Sequence, residues 1–161
     1  MLFNPTRRTL TRCLALGLAY PLLACSDKNR KARLFMKDDI VLSVVLYSYL
    51  DRPIFDVMLN GSGIGGANSY GTNGMITGIR VPFGKQGLTW RLGGPRGMVR
   101  NGETVAMKNS IHLTEDETPP DAHYLAVNIY PDDTAEFVFD ESIPDTTPRG
   151  KIIDERRQHG K

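Results

Sequence analysis

The segment AHYLAVNIYPDDTAEFVFD, residues 122–140, decides the fold class. It contains two runs rich in β-branched and aromatic residues, 122–130 and 134–140, with the turn-forming triplet Pro131-Asp132-Asp133 between them. Runs of this length, bounded by Pro, Gly, Asn or Asp, are typical of β-strands. The segment therefore predicts two short strands separated by a turn.

The same pattern recurs over most of the chain. Further strand candidates are IVLSVVLYSYL (40–50), IFDVMLN (54–60), GMITGIRV (74–81), LTWRL (88–92) and TVAMKN (104–109). Asn-Gly pairs at 60–61, 73–74 and 101–102 accept the positive φ angles of tight hairpin turns. No segment of 12 or more residues keeps a helical period. The sequence therefore predicts a single all-β domain over residues 40–143, an antiparallel sandwich or partly open barrel of about seven to eight short strands.

Residues 1–24 have the pattern of a signal peptide. Three arginines precede the 12-residue apolar run CLALGLAYPLLA (13–24), which is shorter than the ~20 residues of a membrane-spanning helix. The following LLAC (22–25) resembles the bacterial lipobox, which implies lipidation of Cys25 and stable anchoring by two fatty chains. A plain signal peptide with an incidental Cys25 is the alternative, and TRRTL (6–10) also resembles a twin-arginine export signal.

Cleavage before Cys25 would change the charge and the cysteine count. The mature chain would keep 17 of the 20 basic residues and all 18 acidic ones, a net charge of −1. This balance predicts no nucleic-acid partner. Because Cys13 is removed with the signal, no disulfide framework is expected. Ser26 after the cysteine resembles a sorting signal for the periplasmic side of the outer membrane rather than the inner membrane.

Two polar segments flank the predicted domain. Residues 25–39 are charged and predict a tether between the lipid and the domain. Residues 144–161 are rich in proline and charged residues, which predicts a mostly disordered or extended tail. A short edge strand at Ile152-Ile153 is the alternative. The acidic run TEDETPPD (114–121) is interpreted as a solvated loop, with contact to a basic partner as the alternative.

The glycine-rich stretch NGSGIGGANSYGTNG (60–74) matches G-x-G-x-x-G at Gly61, Gly63 and Gly66. A dinucleotide site would need a helix after these glycines and an acidic residue about 20 positions later, and the sequence predicts neither. The glycines are therefore assigned to turns and close backbone approach. The polar side chains of this stretch remain available for a partner: Asn68, Tyr70 and Asn73.

Motifs for catalysis or metal binding are missing from the sequence. It has no G-x-S-x-G elbow and no paired-histidine zinc motif among its three histidines. The sequence therefore predicts no enzyme, no metal site and no cofactor, although a carboxylate pair for glycoside hydrolysis is left open among the 18 acidic residues. Trp90, in an alternating strand, is expected in the core, with ligand stacking as the alternative.

Several segments share one further pattern: YLDRPI (49–54), Val57, the turn at 60–61, Gly65-Gly66, IRVP (79–82), GLTW (87–90) and YLAVNIYPDD (124–133). Together they resemble a family of uncharacterised bacterial envelope lipoproteins. Many relatives carry a Cys-Cys pair where this chain has Ile79-Arg80, so any role of that pair is absent here. Members of the family include periplasmic immunity proteins found beside phospholipase effectors of type VI secretion systems. The resemblance implies a protein that binds and neutralises such a lipase.

A rigid β-scaffold that presents loops suits protein binding, because little conformational entropy is lost on docking. We expect the binding edge in residues 60–74 and 91–103. The second loop offers residue types favoured at interfaces: Arg91, Arg96, Met98 and Arg100. The alternatives are that both loops are plain hairpin connections, or that the protein is a structural or sugar-binding envelope lipoprotein using Trp90 and Tyr70. An envelope hydrolase is the third hypothesis.

Overall fold

The computed structural model describes residues 39–160, with the side chain of Asn73 excepted. The signal peptide, Cys25 and the tether as far as residue 38 lie outside the described residues, and Asp39 is already the first residue of a strand. The described part is all-β with one helix at its C-terminal end. Its strands are β1 (Asp39–Ser48), β2 (Ile54–Leu59), β3 (Ser62–Gly63), β4 (Gly71–Pro82), β5 (Gly84–Lys85), β6 (Leu88–Leu92), β7 (Thr104–Ala106), β8 (His112–Leu113), β9 (Tyr124–Ile129) and β10 (Ala135–Asp140).

These strands form two four-stranded sheets and a small two-stranded one. The first sheet has the order β10-β9-β1-β4, the second has the order β3-β2-β6-β7, and β5 pairs with β8. Every pairing is antiparallel except that of β1 with β9, which is parallel. Parallel neighbours need a long crossover, and here the chain builds the second sheet between β1 and β9. The predicted all-β, mainly antiparallel fold is confirmed, and the β1–β9 pair is a parallel pairing that the sequence did not predict.

The two larger sheets share one hydrophobic core, as expected for a sandwich-like fold. Leu42, Val44 and Leu125 of the first sheet belong to the same buried cluster as Ile54 and Trp90 of the second. Trp90 is 0 % exposed, so its predicted place in the core is confirmed and a ligand cannot stack on it. Buried positions alternate with more exposed ones along β6, which explains why the sequence predicts this strand.

All seven predicted strands are present, and the three additional strands are only two residues long. The turn at Asn60-Gly61 is confirmed, with φ angles of 50° and 82° between the paired strands β2 and β3. Asn73-Gly74, by contrast, is not a turn but part of β4. The register of β4 against β1 shifts there, and Gly74 has a φ of 85°, which is typical of a bulge.

The prediction of a mostly disordered or extended tail is wrong for residues 148–159, which form helix α1 (Pro148–His159). Thr147 caps the helix, since its side chain accepts a hydrogen bond from the amide of Gly150, and proline occupies the first turn. Ile152 and Ile153 lie in this helix and not in an edge strand. Within residues 39–160, no helix is long and apolar enough to cross a membrane.

Helix α1 contacts the rest of the domain through tyrosine rings rather than through an apolar stripe. The Arg149 guanidinium lies 3.8 Å from the ring centroid of Tyr130, and Tyr130 stacks on Tyr49 with centroids 5.1 Å apart. The Tyr130 hydroxyl is 2.7 Å from the Thr147 hydroxyl. Gly150 lies so close to Tyr49 that a Cβ atom would overlap the ring. The helix is therefore held by cation–π, stacking and capping contacts.

Candidate functional site

The two loops predicted to bind a partner meet at one end of the second sheet. Ile54, the first residue of β2, pairs with Leu92 at the end of β6 on one side and forms a bridge with Ala67 on the other. Asn68 therefore follows one flank of β2, and the loop 93–103 follows the other. Neighbouring strands lie about 4.8 Å apart, so the two flanks are separated by about 10 Å.

A surface depression of about 340 Å³ occupies this end of the sheet. Asn68 and Arg91, both predicted from sequence, line it together with Phe55, Asp56 and the backbone of Gly65-Gly66. A Cβ atom on Gly66 would lie 2.5 Å from the Ile54 carbonyl oxygen, so the floor of the depression requires glycine. This close backbone approach is the role that the sequence assigned to the glycines, and strand β4 rather than a helix follows them.

Sequence reasoning missed Phe55 and Asp56. A register shift between Phe55 and Met58 breaks the alternation of β2, and Asp56 adopts a φ of 50°. Both side chains therefore face solvent, and Phe55 is 44 % exposed although it is a large apolar residue. A bulge of this kind redirects side chains at functional edges of sheets. The adjacent Phe-Asp pair interrupting an apolar/polar alternation is the signal that could have revealed it.

Charges at the depression are paired within the molecule. Arg91 Nη2 lies 2.7 Å from Asp56 Oδ2, and its guanidinium lies 5.6 Å from the centroid of the Phe55 ring. Both side chains of the ion pair are roughly half exposed, so the pair contributes little to stability. The ion pair with Asp56 does hold the Arg91 guanidinium over the Phe55 ring. The surface therefore presents an aromatic ring and a cation next to each other.

The loop 93–103 is ordered by its own hydrogen bonds. The Gly102 amide donates to the Leu92 carbonyl and the Asn101 amide to the Met98 carbonyl. Met98 is half-buried, and its side chain packs against Gly94 so closely that a Cβ atom on Gly94 would overlap it. Arg96 and Val99 point outward, and Val99 is 77 % exposed. Val99 has no feature in the sequence that distinguishes it from a core valine.

Arg100 has a structural role that its sequence context did not indicate. Its Nε and Nη2 atoms donate to the two carboxylate oxygens of Glu103 at 2.9 and 3.0 Å, and Nη2 lies 3.4 Å from Asp133. The hydrogen bond from Arg100 lowers the pKa of Glu103. Arg100 itself adopts a φ of 61°, which a bulky residue rarely tolerates. Its side chain is therefore occupied in fixing the loop.

Tyr70 does not line the depression and lies towards helix α1. The Tyr70 amide donates to the Leu50 carbonyl, and the Arg157 guanidinium of α1 lies 4.9 Å from the centroid of its ring. Asn73 lies within β4. The structure thus separates Tyr70, on the helix side, from a group at the end of the second sheet: Asn68, Arg91, Arg96, Met98 and Arg100.

Within the part of the chain that the structure describes, Asp121 and Glu141 form a pair of neighbouring carboxyl groups. A hydrogen bond shared with Asp121 raises the pKa of Glu141, while the same bond lowers the pKa of Asp121. Both groups are fully exposed, and neither lines the depression. Within the described residues 39–160, no three His, Cys, Asp or Glu side chains are placed to share a metal ion.

Comparisons with known proteins add no family to this description. No protein-family model matches the chain, and neither the curated proteins nor the solved structures give a significant match.

Proposed function

We propose that this protein is a lipid-anchored periplasmic immunity protein that binds and neutralises a phospholipase effector of a type VI secretion system. The observation that carries the proposal is the ordered surface at the end of the second sheet, where Phe55 and Arg91 face solvent beside the loop 93–103. Cys25 would carry the lipid, with the outer membrane favoured over the inner. The anchor would concentrate the inhibitor at the bilayer that the lipase attacks.

Two of the segments behind the family resemblance lie at this surface. YLDRPI (49–54) ends at Ile54, the residue flanked by both loops, and Gly65-Gly66 forms the floor of the depression. The turn at 60–61 closes the β2–β3 hairpin at the opposite end of β2, and the remaining segments lie in or beside strands β2, β4, β6 and β9. The two segments at the depression support a role for that end of the molecule.

The composition of the surface suits tight protein binding. It combines an exposed aromatic ring, arginines and an exposed apolar loop residue, the types enriched in interface centres. The loop 93–103 is fixed by internal hydrogen bonds before any partner arrives. Ordering it therefore adds little to the entropic cost of association.

Binding is tested by mixing the protein with its cognate lipase. We expect a complex that survives gel filtration and loss of lipase activity. Arg96→Glu is the sharpest substitution, because Arg96 is exposed at the loop tip and within residues 39–160 makes no ion pair. It should weaken binding at least tenfold, about 1.4 kcal/mol, without lowering the unfolding temperature. Arg100→Glu is less informative, since it would repel Glu103 and Asp133 and disturb the loop.

The matched control is Lys85→Glu. Lys85 is an equally exposed cation in β5, near the opposite end of the second sheet, where Asn60 contacts Gly87. Affinity that falls equally in both variants would indicate a general charge effect rather than contact at the loop. A wild-type protein that leaves lipase activity undiminished and elutes separately from the lipase would reject the function. Separately, Cys25→Ser should release the protein from membranes into the soluble periplasmic fraction.

A further inference from the structure

A second cavity, of about 200 Å³, lies between helix α1 and the end of strand β1. We call it the tyrosine pocket. Its lining consists mainly of three aromatic rings and one carboxylate: Tyr47, Tyr49, Tyr70 and Asp154. Small or backbone-rich residues complete the wall, among them Gly71 and Thr146. The pocket is separate from the depression at Phe55, and helix α1 contributes Asp154 to its wall.

The hydroxyl groups of two of the tyrosines are already used inside the protein. Tyr47 donates to the Pro144 carbonyl at 2.8 Å, and Tyr49 donates to Asn128 Oδ1 at 3.2 Å. Burial raises the pKa of both phenols, that of Tyr49 to about 12, so both rings are neutral at physiological pH. Tyr49 is 3 % exposed and packs against Tyr130 and Gly150, so the partly exposed rings of Tyr47 and Tyr70 supply most of the aromatic surface of the pocket.

Cationic side chains already lie on tyrosine rings around this helix. Arg149 lies over Tyr130 at 3.8 Å, and Arg157 lies over Tyr70 at 4.9 Å. Asp154 is only partly exposed and, among the residues that the structure describes, forms no ion pair. The partly exposed rings of Tyr47 and Tyr70, together with the Asp154 carboxylate, form an environment that attracts an organic cation.

We propose that the tyrosine pocket binds a basic side chain, lysine or arginine, of a partner protein. The inference rests on the proposed function in that the lipase would supply this side chain. Tyr70 follows Asn68 by two residues, about 7 Å of extended chain, so a protein that covers the depression can reach the pocket. The negative charge of Asp154 and the rings around it match a positive side chain on an apolar stem.

The pocket is tested without the lipase, by titrating the full-length protein with N-acetyl-lysine methylamide and following the tyrosine ring resonances by NMR. We expect millimolar binding, with the neutral N-acetyl-norleucine methylamide at least fivefold weaker. Asp154→Asn should weaken lysine binding about two- to fivefold. Arg157→Gln should strengthen it, because it removes a competing cation from Tyr70. Glu155→Gln, a neighbouring exposed carboxylate on the same helix, is the control and should change nothing.

Equal binding of the lysine and norleucine probes would overturn the proposal, as would an Asp154→Asn variant that binds lysine like the wild type. Choline that binds at least fivefold tighter than the lysine probe would assign the pocket to a lipid headgroup and also overturn it. Failure of the proposed function gives a different pattern: the lipase does not bind, yet the lysine probe binds and responds to Asp154→Asn. Full lipase affinity in Asp154→Asn would retain the function and reject the pocket as part of its interface.

Discussion

Replacing Gly150 by alanine tests whether helix α1 is packed on the domain as described. An alanine Cβ would lie 2.5 Å from Tyr49 Cε1 and closer still to Cζ and Oη. The ring cannot retreat freely, because its other contacts include the stack on Tyr130, 5.1 Å between centroids. Either the stacking of Tyr49 on Tyr130 is disturbed, or helix α1 moves away from the domain. The Gly150 amide, which donates to the Thr147 hydroxyl at 3.0 Å, would shift with it.

Two effects of opposite sign determine how much Gly150→Ala changes the free energy of unfolding. Overpacking of a buried contact costs about 1–3 kcal/mol, and a disturbed aromatic pair accounts for about 0.5–1.5 kcal/mol of that loss. Alanine favours a helix over glycine by up to about 1 kcal/mol, and less in the first turn. With an offset of about 0.5 kcal/mol in the first turn, we expect a net loss of about 0.5–2.5 kcal/mol in the free energy of unfolding. With a urea m-value of about 2 kcal/mol/M, the midpoint should fall by about 0.3–1.3 M.

The measurement is urea unfolding followed by circular dichroism, with the m-value compared between variants. Gln158→Ala, at an exposed position of the same helix, is the control and should remain within about 0.5 kcal/mol of the wild type. An unchanged or higher midpoint in Gly150→Ala would show that helix propensity outweighs the contact with Tyr49. The packing of α1 on the tyrosines would then be refuted.

Three further outcomes are expected. Trp90, the only tryptophan and 0 % exposed, should emit blue-shifted fluorescence and resist acrylamide quenching; emission like that of free tryptophan would contradict its place in the core. Gly66→Ala should destabilise the domain by about 1–3 kcal/mol in urea unfolding, because its Cβ would lie 2.5 Å from the Ile54 carbonyl oxygen, and wild-type stability would contradict this backbone approach. Burial opposes ionisation of Asp132, but hydrogen bonds from Thr134 and Arg149 outweigh it and lower its pKa below 3.8. The stability gained from this carboxylate is present above pH 3.8 and is lost as the pH falls through the depressed pKa. The difference in the free energy of unfolding between wild type and Asp132→Asn should therefore become smaller in acid. A difference that stays constant down to pH 2 would contradict this linkage.

The sequence by itself determined the fold class, because the signals for strands and turns are local. An alternating strand such as β6 shows its buried face in its own residues, and Asn60-Gly61 shows its turn through the positive φ that these residues tolerate. Asn68 and Arg91 could likewise be predicted as site residues from the sequence, and the structure places both at one depression, although Arg91 lies in strand β6 and not in the predicted loop.

Only the tertiary structure decided the pairing of β1 with β9, the bulge at Asp56 and helix α1. Each depends on contacts between residues far apart in the chain: Ser43 with Tyr124, Phe55 with Arg91, and Gly150 with Tyr49. Helix α1 has no apolar stripe for periodicity to detect, since a glycine and cations on tyrosine rings hold it in place. A local sequence pattern shows which face of a segment is apolar, but it does not show which distant ring or carboxylate that segment will contact.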